Sequence, residues 1–140
     1  MNLSSGIAAF ESKHFNTAIP MLRPFADDGH PGAMYRMAIM AQNGLGMVKD
    51  ETLAANYMLG AAEAGEPLAM HGIGFMYMEG DCVEQSGEKA LEWFTKAANE
   101  GLIGSMTTIA MMYHQGTGGV AADLEKAKEW YTRAGFDEML

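Results

Sequence analysis

The sequence is short of cysteine and of positive charge, and it has no long apolar run. Each shortage removes a class of protein. A single cysteine, Cys82, has no partner for an internal disulfide. Nine lysines and arginines face eighteen aspartates and glutamates, giving a formal charge of −9. Such a surface repels a phosphate backbone and an anionic lipid layer, so neither nucleic acid nor membrane is an expected partner. No apolar run approaches the ~20 residues that span a bilayer. The start, Met1 to Ile7, has neither a basic segment nor a long apolar one, so no signal peptide is expected. Together these absences predict a cytoplasmic protein. With 140 residues, 49% of them apolar, the chain can bury a core and is read as one domain, 1–140.

What is present is a repeat of thirty-six residues. His30–Gly65 aligns without gaps on Glu66–Gly101: Ala33 falls on Ala69, Met34 on Met70, Met40 on Met76, Gly44 on Gly80, Ala61-Ala62 on Ala97-Ala98, and Gly65 on Gly101. A third copy, 102–140, holds the spacing through Ser105, Met106, Met112, Tyr113 and Gly116. One extra residue then enters the turn Gly116-Thr117-Gly118-Gly119-Val120, and Ala127, Trp130, Tyr131 and Ala134 follow at an offset of thirty-seven. Residues 1–29 read as a shortened copy, a degenerate N-terminal hairpin.

Each copy predicts two helices. Helix A is expected at 32–43, 68–79 and 104–115, closed by Gly44, Gly80 and Gly116. Helix B is expected at 51–64, 87–100 and 124–135, with Ser86 and Asp123 as N-caps and Gly65 and Gly101 as terminators. The shortened copy pairs 3–12 with 16–28, where Pro24 should kink the second helix or delay its start. No segment alternates like a strand. The prediction is all-α, about four stacked helical hairpins. Small residues such as Ala38, Gly74, Ala54 and Ala90 admit close helix approach. Met37, Ile73 and Ile109 fill between them, with Tyr57, Trp93 and Trp130 on helix B. Glu92–Lys96 and Glu129–Arg133 are spaced as surface ion pairs.

These residues resemble the Sel-one-like repeat family (Sel1-like repeats, SLR), relatives of the tetratricopeptide repeats. The family pattern A-x-x-x-L-G-x-x-Y, G-x-G-V and K-A-x-x-W-Y-x-K-A-A-x-x-G is matched by Ala69–Tyr77, Gly80–Val83 and Lys89–Gly101. The third copy matches through Tyr113, Gly116, Gly118, Lys126-Ala127, Trp130-Tyr131 and Arg133-Ala134. Two departures stand out: Ala41 takes the tyrosine position, and Cys82 takes the second glycine of the turn. The resemblance implies a right-handed α/α superhelix, a TPR-like α-solenoid. It also implies a protein-binding adaptor or scaffold in a bacterial signalling, secretion or envelope setting, with no catalysis and no cofactor.

A helical wheel places Ala33, Met34, Met37, Ala38, Met40, Ala41 and Gly44 on one packed arc. Ile39 lies opposite, and its equivalents Phe75 and Met111 are also large and apolar. This column is either the floor of a peptide groove on the concave helix A face or a seam buried between neighbouring A helices. In the groove reading Tyr35, His71, Met78 and His114 form its wall, and Met and aromatic side chains suit adaptable recognition. The methionine columns Met34/Met70/Met106 and Met40/Met76/Met112 read as core rather than as a copper(I) site, because no histidine pair has ligand spacing; no metal site is expected.

Other motifs lead elsewhere. Ser86-Gly87-Glu88-Lys89 has the S-x-x-K spacing of penicillin-recognising hydrolases, but neither K-T-G nor S-D-N accompanies it, and Ser86 reads as a helix cap. A weak β-lactam-type hydrolase is therefore the remote alternative, and an immunity or inhibitor protein of a bacterial effector the nearer one. The glycine turns lack the G-K-[ST] of a phosphate loop. Cys82 has no basic sequence neighbour to favour its thiolate. The end of the chain, from Trp130 through Phe136 to Leu140, shows no polar capping helix, which predicts an end-to-end homodimer.

Overall fold

A computed structural model describes residues 2–136. The described residues form eight α-helices and no strand: α1 (Leu3–Glu11), α2 (Phe15–Asp27), α3 (Pro31–Asn43), α4 (Glu51–Glu63), α5 (Pro67–Glu79), α6 (Gly87–Asn99), α7 (Ile103–Gln115) and α8 (Leu124–Arg133). The A helices are α3, α5 and α7, and the B helices are α4, α6 and α8. The chain divides into two compact units, one ending at Ala69 and the other starting at Met70.

Caps explain where the helices start. Asp50, Ser86 and Asp123 each accept a hydrogen bond from the backbone N–H three residues on, at Leu53, Lys89 and Lys126. His30 does the same for α3 through Nδ1, ahead of Pro31 at the first helical position. Gly44 and Gly116 close α3 and α7 in the left-handed conformation, at φ 65° and 68°.

The prolines of α2 do not delay its start. The helix starts at Phe15 and runs through Pro20 and Pro24 to Asp27. The two rings stand four residues apart and both are exposed, as is Asn16. The carbonyls that lose their donors, those of Asn16 and Pro20, therefore belong to residues open to water.

In the first unit α1 packs on α2, α2 on α3 and α3 on α4. Its core holds Leu22, Met37, Met40 and Met58 among alanines 33, 38, 41, 54, 61 and 62. In the second unit α6 packs on α7 and α7 on α8. There Ile73, Met76, Phe94, Ile109 and Met112 are buried among Ala90, Ala97, Ala98 and Ala110. Both methionine columns are buried, as expected of core.

Helix B corrects an expectation. The fully packed large residues are Met58, Phe94 and Tyr131, one position after Tyr57, Trp93 and Trp130, which are only half-buried. At 100° per residue, Ala90, Phe94, Ala97 and Ala98 define the buried arc and put Trp93 at its edge. There the indole carries a cation: Lys96 Nζ lies 4.4 Å from the Trp93 ring centre, and the Arg133 guanidinium carbon 4.3 Å from that of Trp130. Each cation thus sits over the tryptophan three residues back.

The two departures from the family pattern are absorbed differently. Cys82 adopts φ 67°, beside 71° at Gly46 and 66° at Gly118, so it makes the glycine's turn without being glycine. Ala41 is fully buried. Where tyrosine is retained, a lysine ammonium lies 5.4 Å from its ring centre, Lys89 over Tyr77 and Lys126 over Tyr113. The residue equivalent to those lysines opposite Ala41 is Leu53, so ring and cation are replaced together.

The sequence predicts an apolar terminal face. The described part of α8 and its exit is mixed: Leu124 and Phe136 are exposed at 59% and 48%, whereas Glu125, Lys128, Glu129 and Thr132 are exposed between them. Residues 137–140 of that expected face lie outside the described residues.

Candidate functional site

The structure brings Phe75, Met78 and Met111 together. They line a cleft of about 290 Å³ between α5 and α7, with Thr108, Met112, Gln115 and Thr117. Glu79 also lines it and is the only charged side chain among its described lining residues. Phe75 is 44% exposed and Met111 48%, although each is a large apolar residue on a helix. Their neighbours Ile73, Met76, Ile109 and Met112 are at most 1% exposed, so the two residues stand clear of a filled core. The cleft's rim is fixed by the turn after α5: the Gln85 side-chain amide donates to the Met78 carbonyl at 2.9 Å. Thr108, which lines the cleft, turns its hydroxyl back to the Gly104 carbonyl at 2.7 Å.

The remaining predicted residues stand apart from this cleft. His71 is half-buried, with Nδ1 2.8 Å from the Ser105 hydroxyl and its ring 5.1 Å from that of Phe94. Burial holds the His71 pKa below the ordinary histidine value. His114 is exposed and meets Tyr131 edge-on, with ring centres 6.4 Å apart. Tyr35 and Ile39 lie half-buried on α3 in the first unit, and burial raises the Tyr35 pKa. Thr108 and Thr117 line the cleft without having been singled out in the sequence. Thr108 lies three residues before Met111, a spacing that places both on one side of α7.

At the S-x-x-K motif, Ser86 Oγ accepts from the Lys89 backbone N–H at 3.2 Å, and the Lys89 ammonium lies over the Tyr77 ring. That is a capping arrangement, with the amine directed to an aromatic face.

Three segments of the chain, 31–66, 67–102 and 105–135, match the Sel1 repeat. The chain belongs to the Sel1 repeat family. Its fold is that of an all-α helical-repeat solenoid. It is similar to a Sel1 repeat protein from Oxalobacter formigenes, with a TM-score of 0.83 at 25% identity over 94% of this chain and 52% of that one. It is also similar to a protective antigen of uropathogenic Escherichia coli that displays an SLR fold, with a TM-score of 0.80 at 30% identity over 89% of this chain and 26% of that one. Among curated proteins it is 30% identical over 113 residues to the chitin synthase regulator SKT5 of Saccharomyces cerevisiae, and 30% identical over 132 residues to chitin synthase regulatory factor 3 of Schizosaccharomyces pombe. These Sel1 matches take in 79% and 92% of this chain but only 16% and 14% of those proteins. The similar proteins thus come from yeasts and bacteria alike. No described helix of this Sel1 chain is long and apolar enough to cross a membrane.

Proposed function

We propose that this chain is a non-catalytic adaptor that holds a segment of another protein against its A helices, with Phe75, Met78 and Met111 gripping one apolar side chain. The observation behind this reading is the pair Phe75 and Met111. They occupy equivalent repeat positions, line one cleft, and leave nearly half of each residue in water. An uncovered apolar cleft with polar margins suits a partner's side chain. The family match supports a role in protein interaction, and so do the two yeast relatives, which are named as regulators of an enzyme. Tyr35 and Ile39 are proposed for the same use on α3 within the first unit. His114 is proposed to extend the contact one turn beyond Met111. His71 is proposed to serve by setting the position of α7 through Ser105.

The test is site-specific photocrosslinking in the native cell. A benzophenone side chain at Met111 is expected to capture a discrete protein adduct, and the same group at Leu124, which is exposed but outside the cleft, is not. Identical adducts at both positions, or none at Met111, would contradict the proposal.

A further inference from the structure

The one-residue insertion that breaks the repeat builds a second cleft, on a B helix. The third copy reads Gly118-Gly119-Val120 where the earlier ones read Gly46-Met47 and Cys82-Val83. This longer turn packs on the start of α6, where the Gly87 N–H donates to the Gly118 carbonyl at 2.9 Å. Only glycine permits it: a Cβ at position 87 would lie 2.3 Å from that carbonyl oxygen and 2.8 Å from the Val120 side chain. The equivalents of Gly87 are Glu51 and Leu124. The insertion and the glycine that admits it are thus two departures from the repeat that meet at one place.

Together they leave a cleft of about 560 Å³ along α6, with Gly119 and Val120 as its wall. Leu91 and Val120, both half-buried, supply its apolar surface, and the exposed Glu88 and Glu92 stand on the α6 side, with Thr95 further along. The glutamates are four residues apart on one helix face and repel each other weakly. Lys96 is the one cation among the described residues lining the cleft, and its ammonium lies over the Trp93 ring.

The chain carries its own comparison. The same five helix positions on α8 are Glu125, Lys128, Glu129, Thr132 and Arg133, and they line a depression of about 580 Å³. There Lys128 stands in the place of Leu91, so among the described lining residues two cations accompany two carboxylates, and none of them comes from an inserted turn. On α6 the position between the glutamates is apolar, and one positive charge is missing.

We propose that the α6 cleft is a second docking site, for a lysine- or arginine-bearing segment of a partner protein. The alkyl stem lies on Leu91 and Val120, and the charged head sits between Glu88 and Glu92. Long basic side chains bury their stems on apolar surface while their heads stay with charge and water. The chain's formal charge of −9 steers such a segment inward.

The test is titration of the isotope-labelled protein with a short peptide alternating lysine and alanine, followed by amide chemical shifts. Shifts are expected to concentrate at 88–96 and 118–120. The double variant Glu88→Gln/Glu92→Gln is expected to weaken binding about tenfold, whereas Glu125→Gln/Glu129→Gln, which removes the same charge from the equivalent place on α8, changes it less than about twofold. All four glutamates are exposed, so both variants keep the fold. Equal losses in the two variants would mean diffuse attraction to an acidic protein and overturn the proposal. Shifts centred elsewhere, or no binding to the unaltered chain, would also overturn it.

Discussion

His71 and Ser105 share a hydrogen bond of 2.8 Å between α5 and α7. Each is an exception within its own column. Ser105 stands where the other copies have Ala33 and Ala69, and His71 stands where they have Tyr35 and Thr107. The hydroxyl is fully buried, and the imidazole is what satisfies it. Without His71 the buried Ser105 hydroxyl would lose this partner, whereas the half-buried imidazole keeps some access to water.

This pair predicts a pH dependence. Burial lowers the His71 pKa from 6.5, so between that value and the folded-state pKa the unfolded chain binds a proton that the folded chain refuses. The stability supplied by neutral His71 is complete above pH 6.5 and is lost as the pH falls through the folded pKa. His71→Gln should therefore be destabilised relative to the unaltered protein at pH 7.5, by a gap that narrows toward pH 5. Urea unfolding at both pH values measures the gap. A constant or widening gap would contradict the assignment.

Cys82 stores backbone strain. Its φ of 67° costs an L-residue about 1 kcal/mol or somewhat more, and glycine avoids that cost while losing some unfolded-state advantage. Cys82→Gly is expected to stabilise the protein by roughly 0.5–1 kcal/mol relative to Cys82→Ala, which keeps the Cβ and lacks the thiol contact with Asp81 just as glycine does. Denaturant midpoints decide the matter, and a glycine variant less stable than the alanine one would count against it.

Two helical glycines should respond in opposite directions. A Cβ at Gly74 would lie 2.9 Å from the Phe94 ring, whereas one at Gly104 meets nothing within 4 Å. Gly74→Ala is expected to cost roughly 1–2 kcal/mol, because overpacking outweighs the better helix propensity. Pairing it with Phe94→Leu should recover part of that loss. Gly104→Ala should gain up to about 1 kcal/mol. Thermal unfolding of the variants checks the order.

Much of this was legible in the sequence. The thirty-six-residue spacing located six of the helices to within two residues, because the glycine terminators and the Ser86 and Asp123 caps recur with the period. Local rules were less reliable where context overrides them. Pro24 does not delay the start of α2, and the carbonyl its ring leaves without a donor belongs to a residue open to water. The size of Trp93 suggests core, but the arc set by Ala90, Ala97 and Ala98 favours Phe94. The His71–Ser105 bond and the Gly87–Gly118 approach join residues thirty or more positions apart, and no period marks them. Phe75 and Met111 stand out in the sequence as apolar residues opposite the packed arc, and a helical wheel fits a groove and a seam equally well. Their exposure and the cleft they line are properties of the folded second unit.

The most direct measurement of the adaptor reading is quantitative affinity capture from native lysate with three baits: the unaltered chain, Phe75→Glu and Leu124→Glu, each shown to be folded by circular dichroism. Both substituted residues are exposed, at 44% and 59%, so only position within the cleft separates them. A partner retained by the unaltered chain and by Leu124→Glu and lost by Phe75→Glu is the expected result. The same captured set on all three folded baits would contradict it.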